Sequence, residues 1–179
     1  NNPPNYQAKM GKHSLQFYVK DRQLSSKTDT ELASETIVST VTTLAGSSAG
    51  GLQACGYRDG SSHLAKFCFP CGIAIDTSHN LYVVDWGSQS IRKISAEGQV
   101  CTLVSRYNRE GCYLSNPSGI SMDQNGQLYV TDFANHRICC FSSQGHFLDA
   151  IDLFYYPTGL AIEPHGTLYT SCLYYEPAI

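Results

Sequence analysis

The chain has 179 residues, a formal net charge of −3 and 42% apolar residues, enough apolar material for one packed domain and more than a disordered chain carries. That charge excludes a global attraction to nucleic acid, leaving only a local basic face open, and no run approaches the roughly 18 apolar residues of a membrane helix. Fifteen glycines, twelve tyrosines and abundant Val, Ile and Thr, with only 15% charged residues, favour strands over exposed helical faces.

Residues 1–35 form a poorly defined segment. It opens Asn1-Asn2-Pro3-Pro4 without an initiator Met, which is compatible with a removed leader. Its phrase Phe17-Tyr-Val-Lys-Asp21 echoes Leu81-Tyr-Val-Val-Asp85 further on, so the segment reads as a degenerate repeat unit. Residues 36–46 match the phrase Gly98-Gln-Val-Cys-Thr-Leu-Val104 and read as the outer strand of that unit. Residues 47–69 read as a long loop, either a connector or a lip over one face.

From Pro70 the chain repeats itself. Pro70-Cys-Gly-Ile-Ala-Ile-Asp76, Pro117-Ser-Gly-Ile-Ser-Met-Asp123 and Pro157-Thr-Gly-Leu-Ala-Ile-Glu163 start 47 and then 40 residues apart. Each is followed by a Leu-Tyr phrase, at Leu81, Leu128 and Leu168. The period is that of one four-stranded propeller blade. Proline fixes φ at the entry, and Gly72, Gly119 and Gly159 permit close backbone approach. An inner strand, a turn and a second strand ending at Asp85 or Asp132 then follow. Blades are thereby placed at 70–104 and 117–151, with a partial blade at 157–172. Within them Ile73, Ile75, Ile120, Met122, Leu160 and Ile162 are expected to be buried between blades, because inner strands are covered on both faces. The fold class is therefore all-β, a propeller segment of about three four-stranded blades. It reads as an incomplete propeller belonging to a longer chain, or as half of a six-bladed ring closed by two chains head to tail. Open edges near Val41 and Leu168 predict self-association.

Eight cysteines show no periodic framework and read as reduced thiols, several in strands. Cys68-Phe-Pro-Cys71 has the spacing of a redox or zinc pair, but no second Cys/His pair completes a site, and incidental core or loop cysteines are the stronger reading.

These phrases, with Asp132-Phe-Ala-Asn135-His136-Arg137-Ile138 after the second strand, closely resemble the NHL repeat. The resemblance runs from about Thr36 to Ser171; the first copy departs from it at Ser88-Gln-Ser90, and the third stops before that loop. It implies a propeller in which Pro70, Gly72, Asp85, Pro117, Gly119, Asp132, Asn135, Pro157 and Gly159 are structural and His136 packs and hydrogen-bonds its loop. Related propeller lyases hold a metal through converging histidines; no such convergence is visible in this sequence, and no metal or cofactor is expected.

Asp85 and Asp132 end equivalent strands and read as acceptors for backbone N–H groups of the following turn rather than as a catalytic ring. No nucleophile elbow or phosphate loop is present. The candidate binding surface is Arg92, Lys93, Arg106, Tyr107, Arg109, Tyr113, His136 and Arg137. Basic residues interleaved with aromatics there could hold single-stranded RNA, although a solvated loop explains the same residues. The functional expectation is a non-catalytic cytoplasmic interaction module for protein or peptide partners. RNA binding is the alternative, and a propeller hydrolase or lyase resembling sugar-lactone or peptidyl-hydroxyglycine enzymes is the third reading.

Overall fold

A computed structural model describes residues 15–17, 42–46, 55–106, 111–163 and 165–174. All regular structure among them is β apart from short 3-10 turns. Strands β1 (Leu15–Phe17) and β2 (Thr42–Ala45) pair antiparallel as a two-stranded sheet. Strands β3 (Gly60–Ser61), β4 (Pro70–Ile75), β5 (Leu81–Asp85), β6 (Ser90–Ile94) and β7 (Gln99–Val104) form a five-stranded sheet in the order β3-β7-β6-β5-β4. A four-stranded sheet follows, made of β8 (Pro117–Met122), β9 (Leu128–Asp132), β10 (Arg137–Phe141) and β11 (Phe147–Asp152). Strands β12 (Tyr156–Ile162) and β13 (Leu168–Leu173) make a second two-stranded sheet. These sheets do not close into a ring.

The Pro-x-Gly phrase has one structural meaning in all three copies. The register of inner strand against second strand breaks between Pro70 and Ile73, between Pro117 and Ile120, and between Pro157 and Leu160. At each break glycine removes the side chain that would meet the next blade. A Cβ on Gly72 would strike the Ser118 carbonyl, and one on Gly119 would lie 2.5 Å from the Thr158 carbonyl oxygen. The turns after the first two inner strands are built by their acidic residues. Asp76 Oδ1 accepts the N–H groups of Ser78 and Asn80 at 2.9 and 2.8 Å, and Asp123 Oδ1 those of Asn125 and Gln127 at 2.9 and 2.8 Å.

Two apolar clusters hold the sheets. Tyr82, Val84 and Ile91 from the five-stranded sheet meet Ile120, Val130 and Phe141 from the four-stranded one. On the opposite face of the five-stranded sheet Val83, Ile94 and Val100 lie against Ala45, Ala65 and Phe67. Val83 and Val84 point to opposite faces because side chains alternate along a strand.

The expected burial of inner strands needs correction. Ile120 is 6% exposed, but Ile73 and Ile75 are 42% and 58% exposed, and Met122, Leu160 and Ile162 are half-buried. The second cluster covers the middle and outer strands of the five-stranded sheet; among the described residues nothing covers the same face of β4. Part of the segment expected to be a loop is ordered. Arg58 and Lys66 form an antiparallel bridge, β3 adds a fifth strand beside β7, and Cys55 is disulfide-bonded to Cys68. That bond corrects the expectation of reduced thiols, because the hairpin brings together two cysteines 13 residues apart.

Candidate functional site

The sheets have two unlike ends. One carries the Asx turns of Asp76 and Asp123. The other, here called the entry end, carries the 3-10 turns Trp86–Ser88 and Phe133–Asn135 together with the segments leading into each inner strand. The entry end collects the polar and aromatic residues of interest.

Its foundations are Asp85 and Asp132, both fully buried. Asp85 Oδ1 accepts the Cys68 N–H at 2.7 Å, and Asp132 Oδ1 the Ser115 N–H at 2.6 Å. These donors precede the inner strands, whereas the sequence reading expected donors from the following turn; neither aspartate caps its own 3-10 turn. Each carboxylate therefore clamps the entry segment to the end of the second strand. The other oxygen is held by Ser88 Oγ at 2.5 Å in one sheet and by Asn135 Nδ2 at 2.8 Å in the other. Burial pushes the Asp85 carboxyl above the usual range, and the Ser88, Cys68 and Arg92 contacts oppose that rise without cancelling it.

Arg92 was expected on a binding surface and is instead fully buried. Its guanidinium donates to the Lys66 and Arg58 carbonyls at 2.9 Å each and to Asp59 Oδ1 at 2.7 Å, and lies 3.5 Å from Asp85 Oδ2. It also sits over the rings of Tyr57 and Phe67, 5.0 and 4.9 Å from their centroids. Lys93, next in the strand, points to the other face and places its ammonium 5.4 Å from the Tyr82 ring centre, so neighbouring residues of β6 cannot share one basic surface. Arg106 and Tyr113 are exposed. Tyr107 and Arg109 lie outside the described residues. Arg137 is half-buried; its Nε donates to Asp132 Oδ2 at 2.9 Å and its Nη2 to the Tyr113 carbonyl at 3.0 Å. The Asp132 bond raises the Arg137 pKa against the opposing effect of burial. With Arg92 inside and Arg137 bound to a carboxylate, the basic set loses two of its cations to internal pairing.

Beneath Arg137 the sequence reading missed a thiol pair. Cys112 and Cys139 are buried with their sulfurs 3.6 Å apart. The Cys139 hydrogen bond, with help from the nearby Arg137 charge, draws the Cys112 pKa down, while Cys139 is pushed up by the same bond and by burial.

His136 is positioned by its backbone. It closes the 3-10 turn with φ 53°, donates its N–H to Phe133 O at 3.2 Å and accepts the Leu153 N–H at 2.7 Å. Its ring centre lies 4.0 Å from that of Tyr156, which also sits 5.0 Å from Phe133. Tyr156 immediately precedes Pro157, so a turn of the second blade and the entry to the third meet at one seam. In the first blade the residue before the proline, Phe69, packs instead on the turn of its own blade, 5.8 Å from Trp86. The seam was invisible as a motif, since its members belong to different repeats. Among the described residues no group of three His, Cys, Asp or Glu side chains is placed to hold a metal ion, and no helix is long and apolar enough to cross a membrane.

Packed antiparallel sheets, bulged inner strands and a clamped entry end define a β-propeller chain. Its second blade matches the NHL repeat over residues 114–141, so the chain carries an NHL-repeat segment within a propeller fold. No curated protein matches it in sequence. Among solved structures it is similar to a luciferin-regenerating enzyme, at 21% identity and TM-score 0.51 over 60% of this chain and 38% of that one. It is also similar to virginiamycin B lyase from Staphylococcus aureus, at 15% identity and TM-score 0.50 over 65% and 36%. A gluconolactonase from Xanthomonas campestris matches at 20% identity and TM-score 0.50 over 62% and 37%. The chain thus spans little more than a third of each. Identities this low establish the shared fold. The three structures just named carry the names of enzymes, which counts against the expectation of a non-catalytic protein-binding scaffold and against a firm non-enzyme reading.

Proposed function

We propose that this chain is part of a catalytic propeller, a hydrolase or lyase that opens an ester-like C–O bond, with His136 as the group that moves the proton. The observation that carries the reading is the fixing of His136. A histidine held in the left-handed region by two backbone hydrogen bonds, with its ring against Tyr156, is anchored at the entry end rather than swinging on a loop. Such an imidazole can take a proton from water attacking an ester carbonyl, or from the carbon beside a C–O bond that breaks by elimination. The lyase and gluconolactonase names of the fold's neighbours support this class of bond. The Cys55–Cys68 disulfide supports an oxidising compartment over the cytoplasm.

The test is turnover of a small panel, an aldonolactone, an aryl ester and a cyclic depsipeptide, by the wild-type chain and by His136→Gln. The expected result is turnover of at least one member, with kcat/KM falling at least about 100-fold in the variant while the thermal transition is kept. Absence of turnover across the panel, or equal rates in the variant, would overturn the reading.

A further inference from the structure

Arg92 and Cys139 occupy one position in two blades. In the first blade Ser90 faces Asp85 and Arg92 faces Val83; in the second Arg137 faces Asp132 and Cys139 faces Val130. From that position each side chain reaches the segment leading into its own blade. Arg92 does so through Asp59 at 2.7 Å, and Cys139 through Cys112, sulfur to sulfur at 3.6 Å. The first connection is an ion pair and the second a pair of thiols.

The catalytic reading makes no use of these sulfurs. Both are buried, Cys112 at 2% and Cys139 at 0% exposure, yet their surroundings are not hydrocarbon alone. Arg137 Nη2 donates towards Cys112 Sγ at 3.7 Å, and Cys139 Sγ lies 3.7 Å from Asp132 Oδ2. A guanidinium beside one sulfur favours negative charge there, and a carboxylate beside the other disfavours it. The pair is thereby divided into an attacking thiol, Cys112, and a thiol that stays protonated, Cys139. The side chain of Arg137 is partly in solvent, so a small solute passing along it meets Cys112. Cys140, next in the strand, points to the opposite face, with its sulfur 3.9 Å from Gln127 Oε1.

We propose that Cys112 and Cys139 form a peroxide-reactive dithiol site that closes to a disulfide, fixing the segment that leads into the second blade covalently to β10. The Cys112 thiolate attacks one oxygen of hydrogen peroxide. The S–O bond forms, the O–O bond breaks, and the departing hydroxide leaves as water with the proton that Cys112 gave up. The Cys139 sulfur then attacks the sulfenic sulfur. The S–S bond forms, the S–O bond breaks, and the hydroxide leaves as a second water with the Cys139 proton. Two thiols are oxidised and one peroxide is reduced to two waters. The oxidant is a small peroxide because a bulkier disulfide reagent cannot reach sulfurs this deeply enclosed. To bond, the sulfurs close from 3.6 Å to the roughly 2.05 Å of a disulfide, a shift that side-chain rotation supplies. The inference stands apart from the catalytic reading, and its readout is a covalent bond rather than turnover.

The wild-type chain, with the Cys55–Cys68 bond intact and the other thiols reduced, is treated with stoichiometric hydrogen peroxide, alkylated, digested and mapped by mass spectrometry. A Cys112–Cys139 cross-link is expected, and it should form equally in Cys140→Ser. Cys139→Ser should form no cross-link and leave Cys112 as a sulfenic acid that dimedone traps. The wild-type and Cys140→Ser maps decide the matter even where Cys139→Ser does not fold. Recovery of Cys112 and Cys139 as free thiols after peroxide, a bond from Cys112 to Cys140 or to an exposed cysteine, or a Cys112–Cys139 bond that forms only in urea would each overturn the proposal.

Discussion

The two complete blades answer the same problem differently. Each buries an aspartate at the end of its second strand and presents it with a backbone N–H from the entry segment, yet the neutralising arginine comes from different positions. Arg137 stands directly opposite Asp132 in the register, whereas the residue opposite Asp85 is Ser90, and the arginine comes two places later as Arg92. Moving the cation by two residues keeps its face but drives it deeper. Arg137 stays at the rim with part of its side chain in solvent, while Arg92 is enclosed by the 55–69 hairpin and takes a second carboxylate, Asp59. The repeat therefore preserves the buried acceptor and leaves the donor free to vary.

The largest effect should come from removing the enclosed cation. Arg92→Ala leaves Asp85 buried without its counter-charge, strips hydrogen bonds from two carbonyls and opens a hole between Tyr57 and Phe67. The expected cost is about 3 to 5 kcal/mol of unfolding free energy, read by urea denaturation. Arg92→Lys should recover only part of it, since a single ammonium cannot reproduce the fork that holds Lys66 O, Arg58 O and Asp59 together. A loss below about 1 kcal/mol would mean that the hairpin is held by its disulfide and apolar contacts alone.

Arg137→Ala should cost less, about 1.5 to 3 kcal/mol, the range for a hydrogen bond to a charged partner. Asp132 keeps the Ser115 N–H and Asn135 Nδ2, and water can reach the vacated rim. If this variant proved as damaging as Arg92→Ala, depth of burial would not be what distinguishes the two blades.

The difference between the blades also marks where sequence reading succeeded and stopped. Strand limits in 70–104 and 117–151 were legible because Pro-x-Gly, the Asx turn and the Leu-Tyr phrase act locally, within about ten residues of what they shape. Gly126, in the turn that follows β8, has the positive φ of 78° that such a turn asks of its glycine. The fate of Arg92 was illegible because its partner Asp59 is 33 residues away, in a stretch whose Gly and Ser content reads as loop. One signal was available: Arg92 alternates with Ile94 on one face of a central strand, and a charge in that position requires a buried partner. Ile73 and Ile75 failed for another reason. Their pattern is that of a covered strand, but cover comes from another sheet, and strand periodicity carries no information on which neighbour is present. The seam of His136 and Tyr156 likewise depends on two repeats meeting.

The smallest effect sharpens the comparison from the acidic side. Asp59 exists as a partner only in the first blade, and its side chain is about half exposed. Burial alone would raise its pKa, but the Thr102 N–H at 3.0 Å, the Arg92 guanidinium and the Thr102 hydroxyl outweigh that and hold it below the ordinary value of 3.8. A depressed folded pKa means that the unfolded chain binds the proton more readily. The stabilisation is therefore complete above the unfolded value and is lost as pH falls through the folded one. Asp59→Asn should lower stability at pH 7 by no more than about 1 kcal/mol, since a half-exposed ion pair is screened by solvent, and should flatten the loss of stability below about pH 4. Urea midpoints for the wild type and the variant from pH 7 to pH 2.5 read both effects. Parallel curves over that range would show that Arg92 is neutralised by Asp85 alone, making the two blades alike in charge after all.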